Sequence, residues 1–377
     1  MPDLLRCALP APDPTVLLDR PFLTDAALAA LDSAREQPDA AGAALSRWFR
    51  KDRRLGSKTR RRVSEAVYGV IRQEGILRRA GASTDAELIA GYNALLSGDR
   101  LESLASEGAI ADYTTALALP EAIAAEWLEV LGEEAAAALG AAMGGRAPTI
   151  LRANTARCTA AKLIERLATE GVSSAPGGVE GAVVLTQRAN LTGLAAFRAG
   201  WFEVQDEASQ RLCAAIPMHA GQTVLDLCAG AGGKSLALAA RGGRVTASDP
   251  RQRALDELRK RAKRAGAKIR VGNPKPADVV LVDVPCSGTG RLRREPALRW
   301  RLDDLDLTET FKLQRKLLAE GADQVRSGGV LVYAVCSLIA AELTHADPAG
   351  FIRLSEQTLW PHVDGTDGFS WIIWQRA

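Results

Sequence analysis

The sequence predicts an α/β chain. A doubly wound, Rossmann-like sheet occupies the C-terminal half, behind a small α/β module and an all-helical N-terminal region. Three observations carry this reading. From about residue 204, short apolar strand-like runs alternate with amphipathic helical stretches, the pattern of a parallel sheet with crossovers. A glycine-rich turn, Gly230-Ala231-Gly232-Gly233, joins the first of these strands to the first of these helices. Between residues 20 and about 140 apolar residues recur at helical spacing, and no strand pattern competes.

Taken in order, Asp25 is expected to cap a helix over AALAALDSAREQ. A second helix covers AAGAALSRWFRKD. A third, KTRRRVSEAVYGVIRQEGILRRA, puts Val63, Val67, Val70, Ile71 and Ile76 on one face. Further helices fit TDAELIAGYNALLSG and PEAIAAEWLEVLGEEAAAALGAAM. Trp48 and Phe49 read as core residues rather than RNA-stacking groups. This helical domain spans 1–140. The small module spans 146–203: TILRAN as a strand, a helix capped by Thr159 and stopped by Gly171, AVVLT as a strand, and NLTGLAAFRAG as a short helix. The third domain, 204–377, has strands at TVLDLCA, RVTASD, ADVVLVDVP and GVLVYAVCS. Its helices are GGKSLALAARG, PRQRALDELRKRAKRAG and TETFKLQRKLLAEGADQV, the last ended by Ser327-Gly328-Gly329. WIIWQRA is expected as a final edge strand.

The chain of 377 residues is long enough for two or three domains with an ordinary core. No apolar run reaches membrane-spanning length. The N-terminus has acids and prolines where a signal peptide needs a basic start. A cytoplasmic protein is expected, acting as a monomer. Six scattered cysteines do not make a disulfide scaffold. With no C-x-x-C pair and three distant histidines, no metal site is expected. Net charge is only +3, but basic residues cluster. Nine lie in Ser46–Val63, nine in 251–270, and a third group is Arg291, Arg293, Arg294, Arg299 and Arg301. Solvated helix faces and coding bias are two readings of these clusters. A surface that neutralises the phosphates of RNA is the third.

The glycine loop runs from Asp226 through Cys228, Ala229 and Gly230 to Lys234. Asp249 ends the next strand, 23 residues after Asp226, where an acid can accept hydrogen bonds from ribose hydroxyls. The spacing fits neither G-x-G-x-x-G nor a P-loop. A nucleoside without phosphate, such as S-adenosyl-L-methionine, fits better.

Two cysteines end predicted strands: Cys286 in DVPCSGTG and Cys336 in VYAVCS. Strand C-termini are where a doubly wound sheet collects catalytic groups. A thiolate that adds to C6 of cytosine makes C5 enamine-like, able to take a methyl group from a sulfonium. Loss of the C5 proton then expels the thiol. Asp283, three residues before Cys286, is placed to meet the edge of the base. Spacing alone does not say which cysteine attacks. Cys7, Cys158 and Cys213 read as inert buried thiols.

At these motifs the sequence resembles the RsmB-like (Sun/NSUN) family of RNA cytosine-5 methyltransferases, over roughly Leu151 to the C-terminus. WFEVQDEASQ, DLCAGAGGKS, DVPCSGTG, RLRREPALRW, the stretch from Leu313-Gln314 through GGVLVYAVCSL, and Thr366-Asp367-Gly368-Phe369 all resemble family segments. The resemblance implies a class I methyltransferase domain with Cys336 as nucleophile and Cys286 assisting release. It implies that Asp283 contacts the base and Lys234 lines the site. Cys228, Ala229, Gly230, Ala231, Gly232, Gly233, Lys234 and Asp249, with Asn273 and Asp283, would hold the cofactor. It further implies a NusB-like RNA-binding domain at the N-terminus, on the helix ending in AVYGVIR. Three departures stand out. Ala231 replaces a proline. The third motif is shortened to VGNPKPADVVLVD, leaving Asn273 for the usual acid. Of the Glu-Asn pair after the nucleophile, only Glu342 remains.

The leading expectation is therefore an S-adenosylmethionine-dependent methyltransferase acting on rRNA or tRNA. One alternative is a non-catalytic RNA-binding or ribosome-assembly protein on a decayed methyltransferase fold. Another is a methyltransferase for DNA or a small molecule.

Overall fold

The structure is a computed structural model that describes residues 2–11, 13–37, 40–52, 55–98, 104–302 and 304–377. Arg53 and Arg54 of the first basic run lie outside the described residues. The chain divides into two compact units. One comprises Met1–Arg146, Thr289–Leu305 and Pro361–Gly365; the other comprises Ala147–Gly288, Asp306–Trp360 and Thr366–Ala377. The stretches 146–203 and 204–377, expected as separate domains, thus lie mostly in one unit.

The first unit is helical: α1 (Pro21–Arg35), α2 (Ala41–Lys51), α3 (Ser57–Arg79), α4 (Asp85–Leu96), α5 (Ala109–Leu117) and α6 (Glu121–Gly144). All five apolar residues predicted for one face of α3 are buried. Trp48 and Phe49 pack against the same core, edge to face with each other at 5.1 Å. Thr84 caps α4 with a reciprocal bond from Glu87, a capping box. The expected cap at Asp25 is wrong. The helix starts four residues earlier at Pro21, whose fixed φ suits a first turn. Gly132, at φ 71°, interrupts α6.

The later segment Thr289–Leu305 completes this unit and ends in the short α12 (Arg299–Leu302). Ala297 joins the helical core. Trp300 donates from Nε1 to Glu74 at 2.7 Å, and the Arg35 guanidinium lies 4.7 Å over its ring. Arg299 is buried; its Nε donates to the Leu117 carbonyl at 2.6 Å. Burial pulls its pKa down to about 9, with nearby Arg72 adding to the effect. Arg293 donates to the carbonyl of Gly365, just past the short α14 (Pro361–Asp364), at 2.8 Å. Arg291 pairs with Glu295. Arg299 and Arg293 are therefore internal fasteners, not a phosphate-facing surface.

The second unit holds two sheets. The smaller contains β1 (Ile150–Ala153), β2 (Ser174–Pro176), β3 (Ala182–Leu185) and β4 (Phe202–Val204) in the order β2-β3-β1-β4, all antiparallel. With α7 (Ala160–Thr169) and α8 (Ala195–Arg198) it makes the split β-α-β arrangement of ferredoxin-like modules. Thr159 caps α7 as expected. The three-residue strands β2 and β4 are too short to show an alternation and were not predicted.

After α9 (Glu207–Ala215), the larger sheet contains β5 (Thr223–Asp226), β6 (Arg244–Ala247), β7 (Arg270–Val271), β8 (Ala277–Asp283), β9 (Val325–Val335), β10 (Phe351–Leu359) and β11 (Phe369–Arg376). Its order is β7-β6-β5-β8-β9-β11-β10. The first five of these run parallel, and β11 is antiparallel to both of its neighbours. The crossovers include α10 (Gly233–Ala240), α11 (Gln252–Ala265) and α13 (Leu307–Asp323). This is the class I, Rossmann-like methyltransferase fold. Two strand expectations are corrected. WIIWQRA is not at the edge: β11 is flanked on both sides, which explains its continuous apolar run. The edge is β10, largely exposed and mostly polar. Ser327-Gly328-Gly329 does not follow a helix end but sits inside β9. There the register against β8 shifts, and Gly328 takes φ 70°.

Candidate active site

Strand order reverses between β5 and β8, which opens a crevice at the C-terminal ends of these strands. Strands β8 and β9 are parallel neighbours, with Asp283 opposite Ala334. Three residues past Asp283 and two past Ala334, the chain therefore brings Cys286 and Cys336 together. Their sulfurs are 3.4 Å apart, within hydrogen-bond reach. Both cysteines are half-buried. The Cys286 pKa is raised well above the usual thiol range, first by the hydrogen bond with Cys336, then by burial and the charge of Glu342.

A buried carboxylate locks the two cysteine-bearing loops together. Glu342 accepts from the Ser287 amide at 2.8 Å and the Ser287 hydroxyl at 2.5 Å. Gln314 of α13 donates to it at 2.9 Å and donates also to the Pro285 carbonyl. Ser287 and Ser337, each next to a cysteine, share a hydrogen bond of 3.0 Å. The Tyr333 hydroxyl of β9 donates to the Glu342 carbonyl at 2.9 Å. Sequence reading noted Glu342 only as the remnant of a motif and missed Ser287, Ser337 and Gln314 as its partners. The signal was the Cys-Ser dipeptide repeated at both strand ends.

Lys234, at the start of α10, donates to Asp283 at 2.6 Å, and its ammonium lies 4.9 Å from the Phe369 ring centre. Burial pulls the Lys234 pKa down. Asp283 more than offsets this, with Cys213 and Cys336 adding to the rise, and the net shift is upward. The ammonium charge is therefore held beside Cys336, where it favours a thiolate. Asp226 ends β5 and is buried; it accepts from the Ser235 hydroxyl at 2.6 Å. Burial raises its pKa to about 7, although Ser235 and Lys234 oppose the rise. Its Oδ1 is buried with no partner among the described residues.

Gly230 and Gly232 take φ 53° and 79°, which a side chain resists. A Cβ on Gly232 would also fall 2.5 Å from Leu258. The Ala229 amide donates to the Ser248 carbonyl, and Arg261 holds the Ala231 carbonyl at 2.9 Å. Gly233 opens α10. Cys228 is half-buried, and burial, followed by Asp226, Asp283 and Asp249, pushes its pKa to about 12. Asp249 is already occupied. The Gly230 amide donates to one oxygen at 2.8 Å, and Arg251 binds both with its guanidinium. Although burial opposes it, these bonds hold the Asp249 pKa below the usual carboxylate range. Asn273 lies just past β7 and is exposed. The family-signature segments meet as well: the Asp367 amide donates to Asp206, which caps α9.

The basic clusters are partly consumed inside the chain. Glu203 binds Arg261 and Arg264; Arg264 also stacks on Phe197 at 4.0 Å. Arg62 pairs with Asp19. Arg50, Lys51, Lys58, Arg61, Arg253, Lys263, Lys268 and Arg270 remain exposed. Cys213 and Cys158 are buried, as expected; Cys7 is half-buried, and burial, with Asp3 adding, raises its pKa to about 12. Among the described residues, no helix is long and apolar enough to cross a membrane, and no three His, Cys, Asp or Glu gather as metal ligands.

The family profile described as 16S rRNA methyltransferase RsmB/F matches residues 214–347. That of the RsmF/B-like ferredoxin-like domain matches 119–192. A probable ribosomal RNA small subunit methyltransferase B of Bacillus subtilis is 29% identical over 74% of this chain and 71% of its own length. Ribosomal RNA small subunit methyltransferase B of Yersinia pseudotuberculosis is 29% identical, and the match spans 67% of this chain and 63% of that relative. The crystal structure of PH0851 superposes with a TM-score of 0.78 at 21% identity, covering 96% of this chain and 100% of that one. By these matches and by its sheet order, the chain belongs to the RsmB-like (Sun/NSUN) family of methyltransferases.

Proposed function

We propose that this protein is an S-adenosylmethionine-dependent RNA cytosine-5 methyltransferase acting on ribosomal RNA through a covalent Cys336–C6 intermediate. The observation that carries the reading is the thiol pair, 3.4 Å apart, beside the Lys234–Asp283 ion pair. The residues at the end of β5 fit the cofactor: two left-handed glycines shape the loop, and the buried Asp226 Oδ1 has no partner among the described residues. Cys228 to Lys234, Asp249 and Asn273 would hold that cofactor, and Asp249 reaches the ribose once Arg251 yields. When bound, S-adenosylmethionine supplies the methyl sulfonium.

The rest falls to side chains. Asp283 orients the base edge, and Lys234 favours the Cys336 thiolate, which adds to C6. The electron pair moves to C5, which takes the methyl group. Once Cys336 is bonded to carbon its charge is gone, and with it a main cause of the raised Cys286 pKa. Cys286 then assists loss of the C5 proton, and the electron pair of that bond expels Cys336. The base must leave its stack to reach the thiol, which favours loops and single strands. The helical unit, read as NusB-like, supplies RNA binding. A non-catalytic scaffold is less well supported, because it has no use for two thiols held in register.

The test is a pair of variants with a cytosine-containing rRNA fragment and labelled methyl donor. Cys336→Ala should lose methyl transfer by at least a thousandfold and keep RNA binding. Cys286→Ala should accumulate an RNA–protein adduct that survives a denaturing gel. Turnover by Cys336→Ala at the wild-type rate would reject the assignment.

A further inference from the structure

The joint between the ferredoxin-like module and the large sheet holds a cavity of about 120 Å³ that the methyl-transfer reading does not use. It is lined by Arg152, Asn154 and Glu203 from the small module, and by Leu236, Ala265 and Lys268 from the large one. The joint is fixed: the Asn154 side-chain amide donates to the Gly200 carbonyl at 2.8 Å and the Ala265 carbonyl at 2.9 Å. Arg152 is only 8% exposed. Its Nε donates to Gln205 at 2.6 Å; among the described residues its guanidinium makes no other hydrogen bond and no ion pair.

A buried cation without a counter-ion is costly, and a guanidinium fork left open matches an oxyanion in two bonds. Glu203 lies opposite Arg152 across the β1–β4 pair and favours its charge, but among the described residues the two form no ion pair. The Glu203 carboxylate is shared by Arg261 and Arg264, two cations on one anion. Lys268, exposed, adds a further positive charge at the lining. The balance around the cavity is therefore positive, and its volume holds about four waters or one tetrahedral oxyanion. Burial lowers the Arg152 pKa; Cys213 and Glu203 only partly offset this, and Arg261 adds to the fall.

We propose that this cavity binds a phosphate-type oxyanion through Arg152. Free phosphate and an RNA backbone phosphate offer the same chemistry, and competition separates them. The proposal stands apart from methyl transfer, since its readout needs neither thiol nor methyl donor.

The experiment is calorimetric titration of the full chain with sodium phosphate, against sodium chloride at equal ionic strength. Saturable binding is expected in the wild type and at least a tenfold loss in Arg152→Gln. Because Arg152 is buried, Ala156→Glu is the second variant: Ala156 is exposed at the cavity lining, so the new carboxylate repels the anion without removing a buried group. Each fold is checked by thermal melting. If saturating RNA abolishes phosphate binding, the natural occupant is a backbone phosphate; if binding persists, it is a free oxyanion. No saturable binding in the wild type, or undiminished binding in a folded Ala156→Glu, overturns the proposal.

Discussion

Asp226 carries a carboxyl group that its surroundings keep from ionising. The unfolded chain releases this proton near 3.8, the folded chain at about 7. Between those values the folded state binds more protons, so its stability falls as pH rises across the window. Each pH unit of the gap is worth about 1.4 kcal/mol. Asp226→Asn should flatten the dependence of unfolding free energy on pH between about 4 and 7, measured by urea titration. At the same scale, the proposed catalytic groups were legible because each sits in a local signature: Pro-Cys-Ser-Gly, Cys-Ser, and Gly-Gly-Lys after a strand. Arg251 was not legible in its role. Nothing in the sequence says that an arginine two residues past Asp249 folds back onto it.

Among the elements, the decisive contact is the one between the loops that follow β8 and β9. Glu342 accepts three hydrogen bonds from Ser287 and Gln314 in a fully buried setting. Removing it leaves buried donors unpaired, each costing about 1–3 kcal/mol. Glu342→Ala should therefore lose about 3–5 kcal/mol of stability by chemical denaturation. It should also reduce methyl transfer more than Glu342→Gln, which keeps an accepting oxygen. Long, strongly periodic elements such as α3 could be read from sequence because their patterns repeat over several turns. Strands β2, β4 and β7 could not, being two or three residues long. Strand β10 was missed because a mostly solvent-facing edge has no apolar alternation to display.

At the scale of the whole molecule, the helical unit is not a contiguous stretch. It takes Thr289–Leu305 and Pro361–Gly365 from the other half of the sequence. A fragment ending at Arg146 lacks Trp300 and Arg299, so Glu74 loses its indole donor and Leu117 its guanidinium. Such a fragment should melt at lower temperature and less cooperatively than the helical unit of the full chain, followed by circular dichroism. This interleaving was hidden from the sequence, where the arginines of 291–301 looked like a surface for nucleic acid. The burial of Arg293 and Arg299 shows how little charge clustering says about exposure.

The same interleaving has a mechanical consequence. A protease that cuts near residue 304 separates β8 from β9 along the chain, yet those two strands remain hydrogen-bonded over six register pairs. The nicked halves would elute together from a sizing column and come apart only in denaturant, so a clipped preparation could pass for intact.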